Sequence, residues 1–324
     1  NDVVFTMQEI ARRKGVEEPD IFTESGRFIA ASHAVLVAPV LELFSQEYHE
    51  RSLRLKKEGS NPPLVQELYD LYRSIRRTNA REYLHDALDH MESLLTLFDL
   101  GYIDLEDRSN TEILVNLIIK RAIMLLGEED TRELKRLQSR IQEKYLVNFS
   151  IFQSLPDFWG LGQHFPIMPL QHLDRRPTRP ASIWDITCDS DGEIPFDPDA
   201  PLLLHDIDVE EEEYFLGFFL TGAYQEVLGM RHNLFTHPTE AMIRFDEEGA
   251  WQIEGIIEAQ NLMDVLEDLD YDTGVIDKTL KTGIEESELI DENEKQELLG
   301  RLYLYLSENS YLKTIQSAEG KEKR

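Results

Sequence analysis

Leu216 to Phe235 reads LGFFLTGAYQEVLGMRHNLF, and this stretch sets the character of the surrounding chain. The run Tyr214–Leu220 is rich in aromatic and aliphatic side chains, as a pleated, partly buried strand should be. It stops at Gly222. Ala223, Tyr224, Gln225 and Glu226 then read as a helix start, with Gly229 and His232-Asn233-Leu234-Phe235 beyond. A strand that passes through a glycine into a helix offers backbone N–H groups to an anion. On pattern alone it is also an ordinary strand–helix junction. Around it, Ser182–Thr187, Ala241–Phe245 and Trp251–Ile257 carry similar strand-like runs, and Pro, Gly and aromatics punctuate the chain from about residue 148.

Toward the N-terminus the period of the apolar residues changes from two to nearly four. Leu64, Leu68, Leu71 and Ile75 share one helix face, as do Leu84, Leu88, Met91 and Leu95. Ile113, Leu114, Leu117 and Ile118 form a further series, followed by Leu134, Leu137, Ile141 and Tyr145. Residues 62–147 are therefore predicted to be three or four antiparallel helices set between β segments. Val3, Val4, Met7, Ile10 and Ala11 predict a helix over 1–14. Residues 20–37 read as strand material, Ile21-Phe22-Thr23 and His33–Val37, around a tight Glu24-Ser25-Gly26-Arg27. Helices return from Asn261, with Leu262, Leu266, Leu269 and later Leu298, Leu302 and Tyr305. Ser317–Arg324 is polar and expected to be disordered. There is no internal repeat.

The 324 residues are 41% hydrophobic and 30% charged, enough for two or more packed domains. No apolar run approaches the roughly 18 residues of a membrane span. Asn1–Phe5 lacks the basic region and cleavage site of a signal peptide. The chain opens without Met and already inside a helical pattern, which reads as a cut. Net charge is −30, from 63 acidic and 33 basic residues. Such a surface repels phosphate backbones and suits a cationic substrate, although solubility alone also accounts for it. Cys188 is the one cysteine. It excludes an internal disulfide and a CxxC site, and the expected compartment is a reducing cytoplasm.

Two further segments combine turn formers with reactive side chains. In Glu24-Ser25-Gly26-Arg27, Gly26 permits close backbone approach and Arg27 could clamp an oxyanion, or the segment could be a surface turn with an ion pair. In Asp185-Ile186-Thr187-Cys188-Asp189-Ser190-Asp191-Gly192 a cysteine follows a strand and precedes an acidic turn. A calcium loop fails here, because Thr187 and Pro198 would fall at its first and twelfth positions, where carboxylates are required. A lone cysteine is commonly a small buried hydrophobe, but the polar residues after Cys188 place it at the edge of a site. His232 and His237 lack a third ligand at zinc spacing. Gly160 and Gly162 do not extend to a dinucleotide fingerprint, and no G-x-S-x-G occurs. Asp206–Glu213 reads as a solvated loop.

In this order, the three segments resemble the fold-type III pyridoxal-phosphate (PLP) decarboxylases. Tyr145–Gly160 (YLVNFSIFQSLPDFWG), Asp185–Gly192 (DITCDSDG) and Leu216–Phe235 are similar, almost word for word, to the bacterial biosynthetic arginine decarboxylases. The resemblance covers essentially the whole chain and implies the C-terminal half of such an enzyme. It implies that Glu24 bonds the pyridine nitrogen of PLP, and that Gly26, Arg27, Gly222 and Tyr224 contact its phosphate. It assigns Cys188 to returning a proton to the α-carbon; free thiols titrate near about 8.5, so one can hold that proton at neutral pH. It assigns Asp189 to the distal cation of the substrate. The Cys-Asp segment of the family reaches into the neighbouring subunit's site, which implies a homodimer or a tetramer built from dimers. Magnesium is implied as a second cofactor, with its site unknown.

The fold implied is α+β. Residues 1–40 would be the last part of a PLP-binding (β/α)8 barrel, with its final strand at 20–24. Residues 58–147 would be an inserted helical bundle, 148–258 a β domain, 259–316 a helical extension and 317–324 a disordered tail. The family's Schiff-base lysine, cofactor-stacking histidine and glycine-rich loop lie in the N-terminal half and have no counterpart here; Lys14, Lys56 and Lys120 sit in charged or helical contexts. The implied partners are L-arginine and the N-terminal barrel half, without nucleic acid or membrane. The implied product is agmatine, at the entry to putrescine and spermidine synthesis, and the chain alone is expected to be inactive. A decarboxylase of another basic amino acid, or a non-enzymatic interaction module, remain alternatives.

Overall fold

The computed structural model describes residues 2–44, 48–57, 60–126, 137, 142–197 and 199–312. It is a mixed α+β protein with two apolar cores. The first core lies against a seven-stranded sheet made of β1 (Val35–Phe44), β2 (Glu143–Val147), β3 (Ile167–Pro169), β4 (Arg179–Trp184), β5 (Glu193–Ile194), β6 (Leu203–Leu204) and β7 (Phe215–Phe219). Their order is β3-β7-β1-β2-β4-β5, with β6 also on β4. β2 and β4 run parallel and the other pairs antiparallel. Register decides what is buried. Ala38 pairs with Leu216, Leu36 with Phe218 and Tyr145 with Ile183, so in each pair both side chains point to one face. Ala38, Tyr145, Ile183, Leu216 and Phe218 are all buried in this core, where Phe149 packs on Phe218 at 4.9 Å.

The second core belongs to helices. α1 (Asp2–Lys14) and α2 (Gly26–Ala30) precede β1; α3 (Pro63–Ser74), α4 (Ala80–Asp99) and α5 (Leu105–Leu126) lie between β1 and β2 in the chain. Pro63 opens α3 at a position where its fixed φ suits a first turn. Val65 and Leu68 of α3 and Leu84, Ala87 and Leu94 of α4 pack on α5. α5 is buried on several sides, at Leu114, Val115, Ile118, Ile119 and Ala122, as a central helix must be. β1 and β2 are neighbours in the sheet, so these helices leave one strand and return beside it.

After β2 come α6 (Ile151–Ser154) and α7 (Pro156–Leu161); α8 (Gln225–Leu228) follows β7. The hairpin β8 (Glu240–Phe245) and β9 (Trp251–Ile257) precedes α9 (Leu262–Asp268), α10 (Thr273–Glu285) and α11 (Glu292–Leu306). Capping boxes start α9 at Asn261 and α11 at Asp291. Beyond α11 the chain returns to the sheet, where Asn148 exchanges two hydrogen bonds with the backbone of Leu312.

Several expectations are corrected. Ile21–Glu24 is not a strand: it is exposed, Phe22 to 92%, and bonds to no neighbouring strand among the described residues. A strand is a pairing, and apolar sequence without a partner strand does not make one. The tight segment starting at Gly26 is a helix, and pairing begins only at Val35. Tyr145 belongs to β2 rather than to the helical block, its ring buried by pairing with Ile183. The strands expected at Ala241–Phe245 and Trp251–Ile257 do form, as the hairpin β8–β9, which is a sheet of its own. A bulge at Glu254 keeps Ala241, Ile243, Phe245, Trp251, Ile253 and Ile256 on one face, and all six are exposed. The helix expected through Leu134 and Ile141, Pro198 and the tail Ser317–Arg324 lie outside the described residues. Leu137 alone is described there, helical and buried in the second core. No helix among the described residues is long and apolar enough to cross a membrane.

Candidate functional site

Two clusters of the expected residues form, one touching α7 at Asp157 and the other at Trp159. In the first, β7 leads into Gly222, whose N–H donates to the carbonyl of Ala31 just after α2, at 2.9 Å. A Cβ on Gly222 would stand 2.5 Å from the carbonyl oxygen of Ala30 and 2.3 Å from His33 Nδ1. Glycine is required there by contact. The next turn holds Tyr224 at φ +71°, a left-handed backbone that costs a non-glycine residue about 1–3 kcal/mol. The Arg27 guanidinium lies over the Tyr224 ring at 4.9 Å, and a Cβ on Gly26 would be 3.6 Å from the Tyr224 hydroxyl. Gly26, Arg27, Gly222 and Tyr224 are thus gathered. Glu24 is exposed on the unpaired segment leading into α2.

This cluster also uses two residues that the sequence did not single out. Arg27 Nη2 donates to Asp157 Oδ2 at 2.6 Å, and the Asp157 side chain is only 3% exposed. Gln225 clasps the same group: its Nε2 donates to Asp157 Oδ2 at 2.8 Å, and its Oε1 accepts from the Asp157 N–H at 3.1 Å. The only local signal was an acidic residue in the first turn after Pro156, where a helix dipole favours it.

The second cluster is the loop after β4. Asp185 is buried at its base, and both carboxylate oxygens accept: Oδ2 from the Ile151 N–H at 2.8 Å, Oδ1 from the Thr187 N–H and Oγ1 at 2.9 and 2.7 Å. Burial holds the Asp185 carboxyl above its ordinary value, and these hydrogen bonds offset only part of the rise. Gly192 closes the loop, since a Cβ there would sit 2.1 Å from Asp185 Oδ1. Cys188 is exposed. Asp189 Oδ1 accepts from the Asp191 N–H at 2.9 Å, and His232 Nε2 lies 3.1 Å from Asp189 Oδ2. Trp159 Nε1 donates to Asp191 Oδ2 at 3.2 Å. Phe158, Trp159, Ser190, Asp191, Glu193 and Pro195 line a shallow cleft beside the loop. Among the described residues no hydrogen bond, ion pair or ring contact joins Cys188 or Asp189 to Glu24, Arg27 or Tyr224.

Asp185→Asn is expected to lower stability by about 1–3 kcal/mol, because an amide must turn its NH2 toward one of two buried sets of donors. Urea unfolding checks this, and an unchanged midpoint at unchanged slope would mean that the loop base is wet.

No group of three potential His, Cys, Asp or Glu ligands suited to a metal occurs among the described residues. Lys56 is bonded to Asp104 and Asp107 in the helical layer, and Lys144 lies on the Trp184 ring.

Residues 58–138 match the arginine decarboxylase helical bundle domain. The biosynthetic arginine decarboxylase of Deinococcus radiodurans is 37% identical over 94% of this chain and 48% of its own length. That of Trichlorobacter lovleyi is 38% identical over 94% of this chain and 51% of its own. The crystal structure of the biosynthetic arginine decarboxylase SpeA from Campylobacter jejuni superposes with a TM-score of 0.82 at 64% identity, covering 97% of this chain and 51% of that one. The chain belongs to the biosynthetic arginine decarboxylase family. It spans about half the length of the arginine decarboxylases it matches.

Proposed function

We propose that this chain is the C-terminal half of a PLP-dependent arginine decarboxylase that converts L-arginine to agmatine and CO2 at the entry to polyamine synthesis. It would work joined to the N-terminal barrel half of the same enzyme. The observation that carries the reading is the meeting of Gly26, Arg27, Gly222 and Tyr224 from segments about 200 residues apart, in a chain of this family. The domain division given above follows from the same reading, with residues 1–40 completing the barrel. Exposed Phe22, Phe28, Ile29 and Val227 fit a surface made to meet more protein.

The donor set fits a phosphate. Arg27 presents a guanidinium a third exposed, Tyr224 a hydroxyl, and Gly26 leaves room for close approach. PLP held there supplies a protonated ring that accepts the electron pair left when CO2 departs. Glu24 would bond the ring nitrogen and keep its proton. Asp189 would receive the guanidinium of arginine. Cys188 would give its Sγ proton to the α-carbon, leaving a thiolate that regains a proton from solvent; the net reaction takes up one proton per arginine. Among the described residues Cys188 and Asp189 make no contact with Arg27 or Tyr224, which fits a loop that completes the site of a neighbouring subunit in a homodimer or tetramer.

The test mixes the purified chain with a matching N-terminal half and follows PLP absorbance and agmatine. The chain alone is expected to form no agmatine, and the mixture to bind PLP and turn over arginine faster than ornithine or lysine. Agmatine from the chain alone would overturn the dependence on a second half. A mixture that binds PLP but decarboxylates no basic amino acid would leave an interaction module in place of an enzyme.

A further inference from the structure

We propose that His232 is a positioning residue for Asp189, setting the carboxylate that meets the substrate cation; this rests on the decarboxylase reading. The Cys188-bearing loop is tied at two points, and both ties stand on one ring. His232 Nε2 reaches Asp189 Oδ2 at 3.1 Å while its imidazole packs on Phe152 with centroids 4.3 Å apart. Trp159 Nε1 holds Asp191 Oδ2 while its indole meets the same Phe152 edge-on at 5.3 Å. Phe152 is buried at the start of α6, directly after Ile151, whose N–H is held by Asp185 at the loop base.

The loop is therefore triangulated between its own base and a shared aromatic platform. With Oδ1 already engaged by the Asp191 N–H, the His232 contact fixes the remaining rotation of the Asp189 carboxylate. A flexible carboxylate would pay rotamer entropy each time a cation bound, so fixing it in advance lowers KM rather than raising kcat. The turn that presents His232 is itself held in an unusual shape, with Asn233 at φ +55° and Leu234 at φ +63°. His232 does not touch the reacting atoms. It acts through Asp189.

Two measurements test this. In the 324-residue chain, amide hydrogen exchange of residues 187–192 is compared for the native protein, His232→Phe and His232→Gln. The phenylalanine keeps a ring on Phe152 and loses the nitrogen, whereas glutamine keeps an N–H within reach of Asp189. Exchange is expected to quicken in His232→Phe and to return toward native in His232→Gln, at similar melting temperatures. In the chain joined to its N-terminal half, KM for arginine is expected to rise about fivefold in His232→Phe, the upper end for a partly exposed polar pair, with kcat within about twofold and partial rescue by glutamine. Unchanged exchange overturns the proposal, and so does a KM that stays level or falls. If the native assembly turns over no basic amino acid, the decarboxylase reading fails, and the exchange arm still decides whether His232 holds the loop.

Discussion

Replacing Arg27 by alanine is expected to destabilise the chain by about 3 kcal/mol, at the lower end for breaking a buried ion pair from one side. The asymmetry of the pair makes this larger than the reverse change. Arg27→Ala leaves the Asp157 carboxylate, 3% exposed, with the neutral Gln225 amide in place of a cation. Asp157→Asn leaves an arginine that is a third exposed and can turn to water, and keeps a polar partner for Gln225; it is expected to cost about 1 kcal/mol, as for one lost hydrogen bond. Urea unfolding of both variants reads the difference. Equal losses would show that Asp157 is not desolvated in solution. Because Arg27 also rests on Tyr224, its loss should free the left-handed turn before α8, seen as faster amide exchange at residues 222–228.

The cluster around Arg27 also shows what a sequence can and cannot tell. Helix faces such as Leu84–Leu88 and the strand Tyr214–Leu220 were legible because a period of 3.6 or 2 is written into adjacent residues. Gly222 and Tyr224 were legible as a strand–helix turn. The ion pair was not, since Arg27 and Asp157 are 130 residues apart and neither has a local mark of the other. Ile21–Thr23 has strand composition and no strand, because pairing belongs to the neighbour as much as to the segment. Tyr145 falls in the helical series by spacing alone; Tyr145 and Val147, β-formers two residues apart, are the better guide. The bulge at Glu254 was also hidden: it keeps Ile256 on the apolar face of the hairpin, and a pattern of strict alternation would have placed Gly255 there.

In the assembled enzyme, replacing Cys188 by alanine is expected to lower agmatine formation about a hundredfold, the lower bound for losing a placed general acid. KM for arginine should stay near native, because the thiol serves a step after binding. Asp189→Ala should do the opposite, raising KM with a smaller effect on kcat, although the two residues are adjacent. The separation of the two clusters makes a sharper expectation possible. Subunits carrying Cys188→Ala retain Arg27 and Tyr224, and subunits carrying Tyr224→Ala retain Cys188. If the loop completes the site of the neighbouring subunit, a mixed dimer has one composite site that combines both defects and one that is free of both. Mixing the two impaired variants under conditions of subunit exchange should then restore part of the agmatine formation. No recovery despite demonstrated exchange would mean that Cys188 serves the site of its own subunit.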